Sequence, residues 1–441
     1  MKAVLTGQAA PYLPALSENR AARFAAVMVL YFLQGVPIGL STVAIPAWLA
    51  ANGATPLQVG AFVGTAVLPW SLKPFSGLVM DRFAYKPMGR RRGWILGAQA
   101  MMLGALFAVA LMEPGVTNLA LLAALCFTLN LAATLNDVAI DGMAVDIVPD
   151  DERTAVNSCM FASQVAGVSV TSFIAAAIMD ESGLATLALA LAGIVAAASL
   201  FVSLFRERPG ERLLPWSQGQ ASHECMERQF DAWLPIFKGM LRAVVKSTTL
   251  IFLLANACAQ ATFAFTDAVA PTLSVQQLGW ASADYSNFAG LVTLISAGAG
   301  LTLPMLMVRF LGLRPTILGM SLTLAGLAVT GGLTFESWGS STPFMALYTL
   351  QFSLAVVLTI STIVWAMRIC DPAVAASLFA LFMAVPNFGR SMLSGWSGTV
   401  IEAGGYSAAY FAVAGLSLAA FALFLIARIG DERLAVAGAE Q

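Results

Sequence analysis

The chain has 441 residues, of which 59% are hydrophobic and only 11% charged. A soluble domain carries about 25% charged residues, so an ordinary soluble fold is excluded, and a mean hydropathy of +0.81 makes lipid the solvent for much of the length. The net charge of −1 leaves no overall basic field and so no nucleic-acid partner is expected.

The stretch from Met1 to Arg20 is polar and contains proline, without the apolar core of a cleavable leader. The first long apolar run opens near Phe24 and is expected to stay as a membrane anchor. A crossing helix needs about 20 apolar residues. Runs of that length occur near 24–47, 57–80, 93–112, 117–146, 154–179 and 185–205, then near 248–274, 285–308, 314–334, 343–367, 374–400 and 407–427. The expected fold is an all-α membrane protein of twelve transmembrane helices. Gly and Pro recur inside the runs, as in "LQGVPIGLSTVAIP" (33–46), which a bundle tolerates because neighbouring helices satisfy the freed backbone groups. Gly64, Gly167, Gly298 and Gly300 are expected at close helix contacts.

Charge gives the orientation. With both termini in the cytoplasm, all 23 Lys and Arg except Lys73 and Arg390 fall in cytoplasmic segments or at their borders. The outer loops hold only acids, such as Glu113, Asp180, Glu181, Glu336 and Glu402. That is the positive-inside pattern, and it requires an even number of spans. The five cysteines fit no metal or redox spacing, and the single histidine, His223, lies in a polar loop. No metal site and no cofactor are expected.

Residues 206–247 break the apolar pattern with Arg206, Glu207, Arg208, Glu211, Arg212, Glu224, Glu227, Arg228 and Asp231. They read as a cytoplasmic linker between an N-terminal half (1–205) and a C-terminal half (248–441). Trp216, Trp233 and Phe237 leave two readings open, an amphipathic helix on the membrane surface or plain linker. The halves look related. "GLATLALALAG" (183–193) and "GYSAAYFAVAG" (405–415) share their flanking glycines, Gly183 matching Gly405 and Gly193 matching Gly415. Gly167 and Gly389 stand at the same spacing. "GLVMDRF" and "PMLMVRF" end the second and eighth runs. Two six-helix pseudo-repeats would place a substrate between the halves near the bilayer midplane.

Ionisable groups deep in a bundle cost roughly 2.5–3.5 kcal/mol each and are functional candidates by default. Asp137 and Asp141, in "LNDVAIDGMAVD", are spaced by four and share a helical face. Two close carboxylates repel, which favours holding a proton; pairing with Lys73 is the structural alternative. Lys73 lies in "LPWSLKPFSG", placed to pair with these carboxylates or to snorkel. Arg390, in "VPNFGRSMLSG", is mid-span, and its fork of donors suits a substrate carboxylate or phosphate or a structural ion pair. Asp267, in "FAFTDAVAP", is a candidate partner for Arg390 or a second protonation site. Asn136, with Asn130, Gln34, Asn256 and Gln260, adds amides that imply a polar cavity.

The segment "GLVMDRFAYKPMGRRRGW" (77–94) resembles the signature between the second and third helices of the major facilitator superfamily. Ala84 to Met88 are an insertion that generic members lack. AmpG-like muropeptide permeases carry one of similar length, followed by a "GRRRGW"-like run. "NDVAIDGMAVDIVPDDER" (136–153) is similar to their paired-aspartate segment, with "ND" where "QD" is usual. Acetyl-CoA carriers and RhtX/FptX-type siderophore permeases show related patterns. The resemblance is close over roughly 60–170. It implies that Asp81, Arg82, Arg90, Arg91 and Arg92 latch the cytoplasmic gate, and that Asp137 and Asp141 are the family's paired aspartates. For the arginines, simple retention of the loop on the cytoplasmic side is the alternative.

The function expected is proton-coupled uptake of a polar organic solute, such as a muropeptide or siderophore, by a monomer in the bacterial inner membrane. Proton-coupled export of drugs or metabolites, or a non-transporting PucC-type assembly role, are the alternatives. An ATP-binding Gly-rich loop is lacking, as is a nucleophile–base constellation, so an enzyme is not expected.

Overall fold

The computed structural model describes residues 15–149, 151–227, 247–369 and 375–427, and every regular element among them is helical. In chain order these are α1 (Arg20–Gly39), α2 (Ile45–Ala51), α3 (Pro56–Val67), α4 (Lys73–Arg82), α5 (Arg92–Met112), α6 (Leu119–Ile147), α7 (Arg153–Ser203), the short α8 (His223–Glu227), α9 (Ser247–Thr272), α10 (Ser282–Leu311), α11 (Leu313–Thr334), α12 (Thr342–Ile369) and α13 (Ala375–Ile426). Hydrocarbon offers the backbone no hydrogen-bond partner, so apolar runs of this length close their bonds internally as helices. Among the described residues, nine helical stretches are long and apolar enough to cross a membrane.

Glycine and proline explain why nine stretches are found where the sequence shows twelve runs. Helix α7 contains Gly183 at φ 80, ψ 172, and α13 contains Gly405 at φ 72, ψ −173. A residue with a Cβ is strained at such angles, and each glycine kinks what is otherwise one long helix. The run over 56–82 is interrupted by a 3-10 turn, Leu68–Leu72, between α3 and α4. Pro69 within that turn and Pro74 just after it, at the start of α4, withdraw two amide hydrogens from the helical ladder. In α1 and α9 the internal Pro37 and Pro271 are each followed by a π turn, Leu40–Ala44 and Leu273–Gln277.

Small residues set the packing. Gly35, Gly39 and Gly167 bring α1 against α7; a Cβ at Gly167 would strike the Phe32 carbonyl oxygen. Gly60 and Gly64 do the same for α3 against α13, where a Cβ at Gly64 would lie 2.6 Å from the Ser391 carbonyl oxygen. The Ser391 hydroxyl donates to the Gly64 carbonyl at 2.6 Å. Gly300 packs on Val356 and Ile360. Gly298, expected at a helix contact, has open space around it instead. Two apolar clusters consist of residues before 206, and a third consists of residues after 250. The fourth joins Val43 and Ala47 to Phe265, Tyr285, Phe344 and Tyr348.

The early and late helices meet at one end of the bundle. There the Asp180 carboxylate accepts from the Ser282 hydroxyl and, at 3.2 Å, from the Ala283 amide at the start of α10. Gln276 Nε2 donates to the carbonyls of Ala50 and Ala54 at 3.0 and 2.8 Å. The arginines gather at the opposite end. Arg23 donates to Glu152 at 2.6 Å and to the Leu16 carbonyl at 2.7 Å.

The segment after α7 differs from a plain linker. Leu16 and Ser17 amides donate to the carbonyls of Arg206 and Glu207, and the Arg212 amide donates to the Pro87 carbonyl at 2.7 Å. Cys225 Sγ donates to the Lys86 carbonyl. Residues 206–225 are thus docked onto the 85–92 loop, with Trp216 82% exposed. Trp233 and Phe237 lie outside the described residues.

Candidate functional site

The 3-10 turn that breaks the second run places Lys73 at the start of α4, facing α6. Lys73 Nζ meets Asp137 Oδ2 at 2.6 Å and stands 5.1 Å from the centre of the Trp70 ring. Trp70 is held in turn: its indole N–H donates to Asn130 Oδ1 at 3.0 Å, and Asn130 Nδ2 donates to Ser41 Oγ at 2.9 Å. A carboxylate and an aromatic face therefore both stabilise the ammonium.

Asp141 lies one turn beyond Asp137 on α6, as the spacing of four requires. Its Oδ1 accepts the phenolic hydrogen of Tyr31, on α1. Asp137 is 3% exposed, whereas Asp141 is open to solvent. The neighbouring Asn136 has turned away from this face. It is fully buried, its amide makes no hydrogen bond among the described residues, and it does not line the cavity. A helix advances about 100° per residue, so Asn136 points about 100° away from Asp137 and lies apart from the face of Asp137 and Asp141.

Between the early and late helices lies a cavity of about 240 Å³. Two cations, Lys73 and Arg390, line it, with the amides of Gln164, Asn256, Gln260 and Asn387. Gln164 Nε2 donates to Gln34 Oε1 at 2.8 Å, and Gln260 Nε2 to Thr359 Oγ1 at 2.8 Å. Arg390 rests on an aromatic ring, its guanidinium carbon 4.7 Å from the centre of Phe263. Asp267, a candidate partner for Arg390 or a second protonation site, makes its hydrogen bond to another residue. Its Oδ1 accepts from the Tyr348 hydroxyl at 3.0 Å, within a row of rings formed by Phe344, Tyr348 and Phe352. Among the described residues no carboxylate lies within ion-pair distance of Arg390, so its donors are available to a guest in the cavity.

The residues expected at a gate divide into two groups. Arg82 is exposed beside Phe83, at 5.8 Å from the ring centre, and the side chain of Asp81 lies outside the described residues. Arg90, Arg91 and Arg92 are buried rather than spread on a surface. Arg90 reaches Asp146 at 3.7 Å, and the Arg91 guanidinium covers Gly142, where a Cβ would meet Nε at 2.6 Å. The Arg91 and Arg92 amides donate to Glu207 Oε1 at 3.1 and 2.6 Å. Gly89, at φ 96, allows this approach, since a Cβ there would collide with the Glu207 carboxylate. Burial, reinforced by Glu211, pushes the Glu207 carboxyl up to about 7. Sequence reasoning passed over Tyr31, Trp70, Phe263, Tyr348 and Glu207. For Tyr31 a signal existed: Tyr31, Gln34 and Ser41 fall on one stripe of an otherwise apolar helix.

The major facilitator superfamily model matches residues 27–392. The chain belongs to the major facilitator superfamily. It is 33% identical over 135 residues to an anhydromuropeptide permease of Escherichia coli (strain K12), covering 30% of this chain and 27% of the permease. The chain thus aligns with about a quarter of that relative's length. It is 28% identical over 406 residues to a folate-biopterin transporter of Synechocystis sp., covering 85% of this chain and 75% of the transporter. Both are permeases or transporters, as the AmpG-like resemblance implied. In fold the chain is similar to the nucleoside transporter NupG (TM-score 0.68, 15% identity, 92% of this chain and 99% of the other). It is also similar to the xylose transporter XylE from E. coli (TM-score 0.66, 13% identity, 92% and 98%). The relatives and solved structures named above are all transporters or permeases, and the described residues contain several helices long and apolar enough to cross a membrane.

Proposed function

We propose that the protein is a proton-coupled importer of a polar organic anion across the bacterial inner membrane. The observation that carries this reading is Arg390, which lines the cavity and forms no ion pair among the described residues, although Asp267 stands near enough for the two charges to act on each other. A guanidinium in that position is matched by a carboxylate or phosphate on the solute. A muropeptide carboxylate, a folate-type glutamate or an acidic siderophore has the required group. The relatives' names, an anhydromuropeptide permease and a folate-biopterin transporter, support the first two. Lys73–Asp137 adds a neutral pair on the opposite wall. Asp141 provides a carboxylate without a cationic hydrogen-bond partner, suited to carrying the driving proton.

The proposed architecture is twelve spans in two six-helix pseudo-repeats, 1–205 and 248–441, joined by 206–247, with both termini cytoplasmic. The kinks in α7 and α13 divide each into two spans, and the interrupted 56–82 run supplies one more, which brings nine to twelve. Matching torsions support the repeat. Gly183 and Gly405 share theirs, and so do Gly89 (φ 96, ψ 168) and Gly312 (φ 88, ψ 161), at nearly the same separation along the chain. The basic end is read as cytoplasmic, with the docked 85–92 and 206–225 segments as the support of a gate to which Arg82 and Arg90–Arg92 belong.

Counterflow in liposomes tests the anion reading. Folate and an anhydromuropeptide are offered to wild type and to Arg390→Gln. Exchange of one of them by wild type and not by the variant supports it; equal exchange by both refutes it.

A further inference from the structure

We propose that Tyr31 and Asp141 form the proton-carrying pair of this transporter, while Asp137 serves as the fixed counter-ion of Lys73. The inference rests on the proton-coupled reading above and assigns the two aspartates of α6 different roles. Identical side chains one turn apart have received different partners. Asp137 is closed off and salt-bridged to Lys73 at 2.6 Å. Asp141 has a neutral partner, the Tyr31 hydroxyl, and is open to solvent. It lies less than two turns before the end of α6 at Ile147, or about 9 Å at 1.5 Å per residue, on the side where the arginines gather.

Tyr31 also connects the mouth to the cavity. Gln34, one turn further along α1, is within reach of the Tyr31 hydroxyl and accepts from Gln164, which lines the cavity. Asp141, Tyr31, Gln34 and Gln164 thus form a line of polar side chains through apolar helices. The charged groups facing Asp141 are Asp137 on its own helix and Lys73 on α4. Arg91, against Gly142, and Arg90, beside Asp146, lie further toward the end of α6.

The step is a proton exchange with water. Asp141 takes a proton when the site opens to the end where Asp180 and Gln276 join the early and late helices. It releases that proton to water at the arginine-bearing end, and the freed carboxylate is then held by the Tyr31 O–H. No other bond forms or breaks. Tyr31 is a positioning residue in this scheme, setting the proton affinity of Asp141 through its hydrogen bond.

Infrared difference spectra of carboxyl protonation, recorded in lipid as pH is varied, need no substrate. Wild type is expected to show a titrating carboxyl that Asp141→Asn lacks. Tyr31→Phe is expected to keep the band with its midpoint moved by about one pH unit, a tenfold change in proton affinity. Loss of no band in Asp141→Asn, or an unmoved midpoint in Tyr31→Phe, overturns the proposal. A second arm uses folate and an anhydromuropeptide in liposomes. Tyr31→Phe should lose at least tenfold more of proton-driven accumulation than of counterflow, whereas a merely structural tyrosine would lower both by the same factor. If wild type moves neither solute, the substrate reading fails, and the spectra still decide the pair.

Discussion

The N-terminal and C-terminal helices each bury one cation and one aspartate near the cavity, and they treat them differently. Between α4 and α6 the charges meet, with Lys73 and Asp137 at 2.6 Å. Between α9 and α13 they do not. Tyr348 holds Asp267, and Arg390 is left on the face of Phe263. A closed pair is a structural element whose removal exposes its partner. A cation that rests on an aromatic ring and makes no ion pair, with Asp267 acting only from a distance, retains its donors for a solute. Glu207 adds a third arrangement, a buried carboxylate gripped by the Arg91 and Arg92 amides.

The largest expected effect breaks the closed pair. Lys73→Ala leaves Asp137 buried without its cation, a loss of about 3–5 kcal/mol when one partner of a buried pair is removed. Thermal unfolding in detergent should show a fall for the single variant and recovery of most of it in Lys73→Ala/Asp137→Asn. An unchanged midpoint in the single variant would mean the pair is not closed.

The amide-held acid responds to pH. The Glu207 carboxyl is raised from 4.5 to about 7 in the folded protein. A raised acid gives stability that is full below 4.5 and is lost as pH rises through about 7. The change is on the order of 3 kcal/mol, at about 1.36 kcal/mol per unit. Hydrogen exchange of 206–212 and 89–92, corrected for intrinsic rates, should accelerate between about pH 5 and pH 7 in wild type and level off above that. In Glu207→Gln it should show no such step.

Breaking the open site should cost function rather than stability. Arg390→Gln is expected to lower kcat/KM for the transported anion by at least 30-fold, about 2 kcal/mol for a charge-assisted hydrogen bond, with little change in unfolding midpoint. Arg390→Lys should recover part of it, because a point charge replaces a fork. The smallest effect sharpens the contrast. Tyr348→Phe removes the hydrogen bond that holds Asp267, worth about 1 kcal/mol. If Asp267 then swings to Arg390, anion affinity falls although the cavity is untouched. A variant with wild-type affinity would show that Asp267 has no access to the cation.

Particular residues show what the sequence could reveal. Apolar runs located the helices to within a few residues, because in lipid a run has no alternative to a helix. The 57–80 run reads as one continuous span, and the break at Leu68–Leu72, with Pro69 and Pro74, is what aims Lys73 at α6. The spacing of Asp137 and Asp141 gave their common face, since it depends on one helix alone. What depends on two elements could not be read. Nothing in "FAFTDAVAP" says that Tyr348, on a different helix, takes Asp267 before Arg390 can. The docking of 206–225 was likewise hidden, because a polar, charged segment reads as linker until Pro87 and Lys86 supply acceptors for it. Arg90–Arg92 read as a gate latch by resemblance, or as a basic block that holds the loop on the cytoplasmic side. They are buried because the 85–92 loop, Asp146 and the Glu207 segment enclose them.

The most direct test of the central claim, that Arg390 receives an organic anion in a proton-coupled carrier, is proton movement in liposomes loaded with a pH-sensitive dye. Folate, an anhydromuropeptide and a ferric siderophore would be added in turn to wild type and to Arg390→Gln. One of them is expected to drive protons through wild type and none through the variant. Equal proton movement in both proteins, or none by folded wild type with all three, would contradict the account.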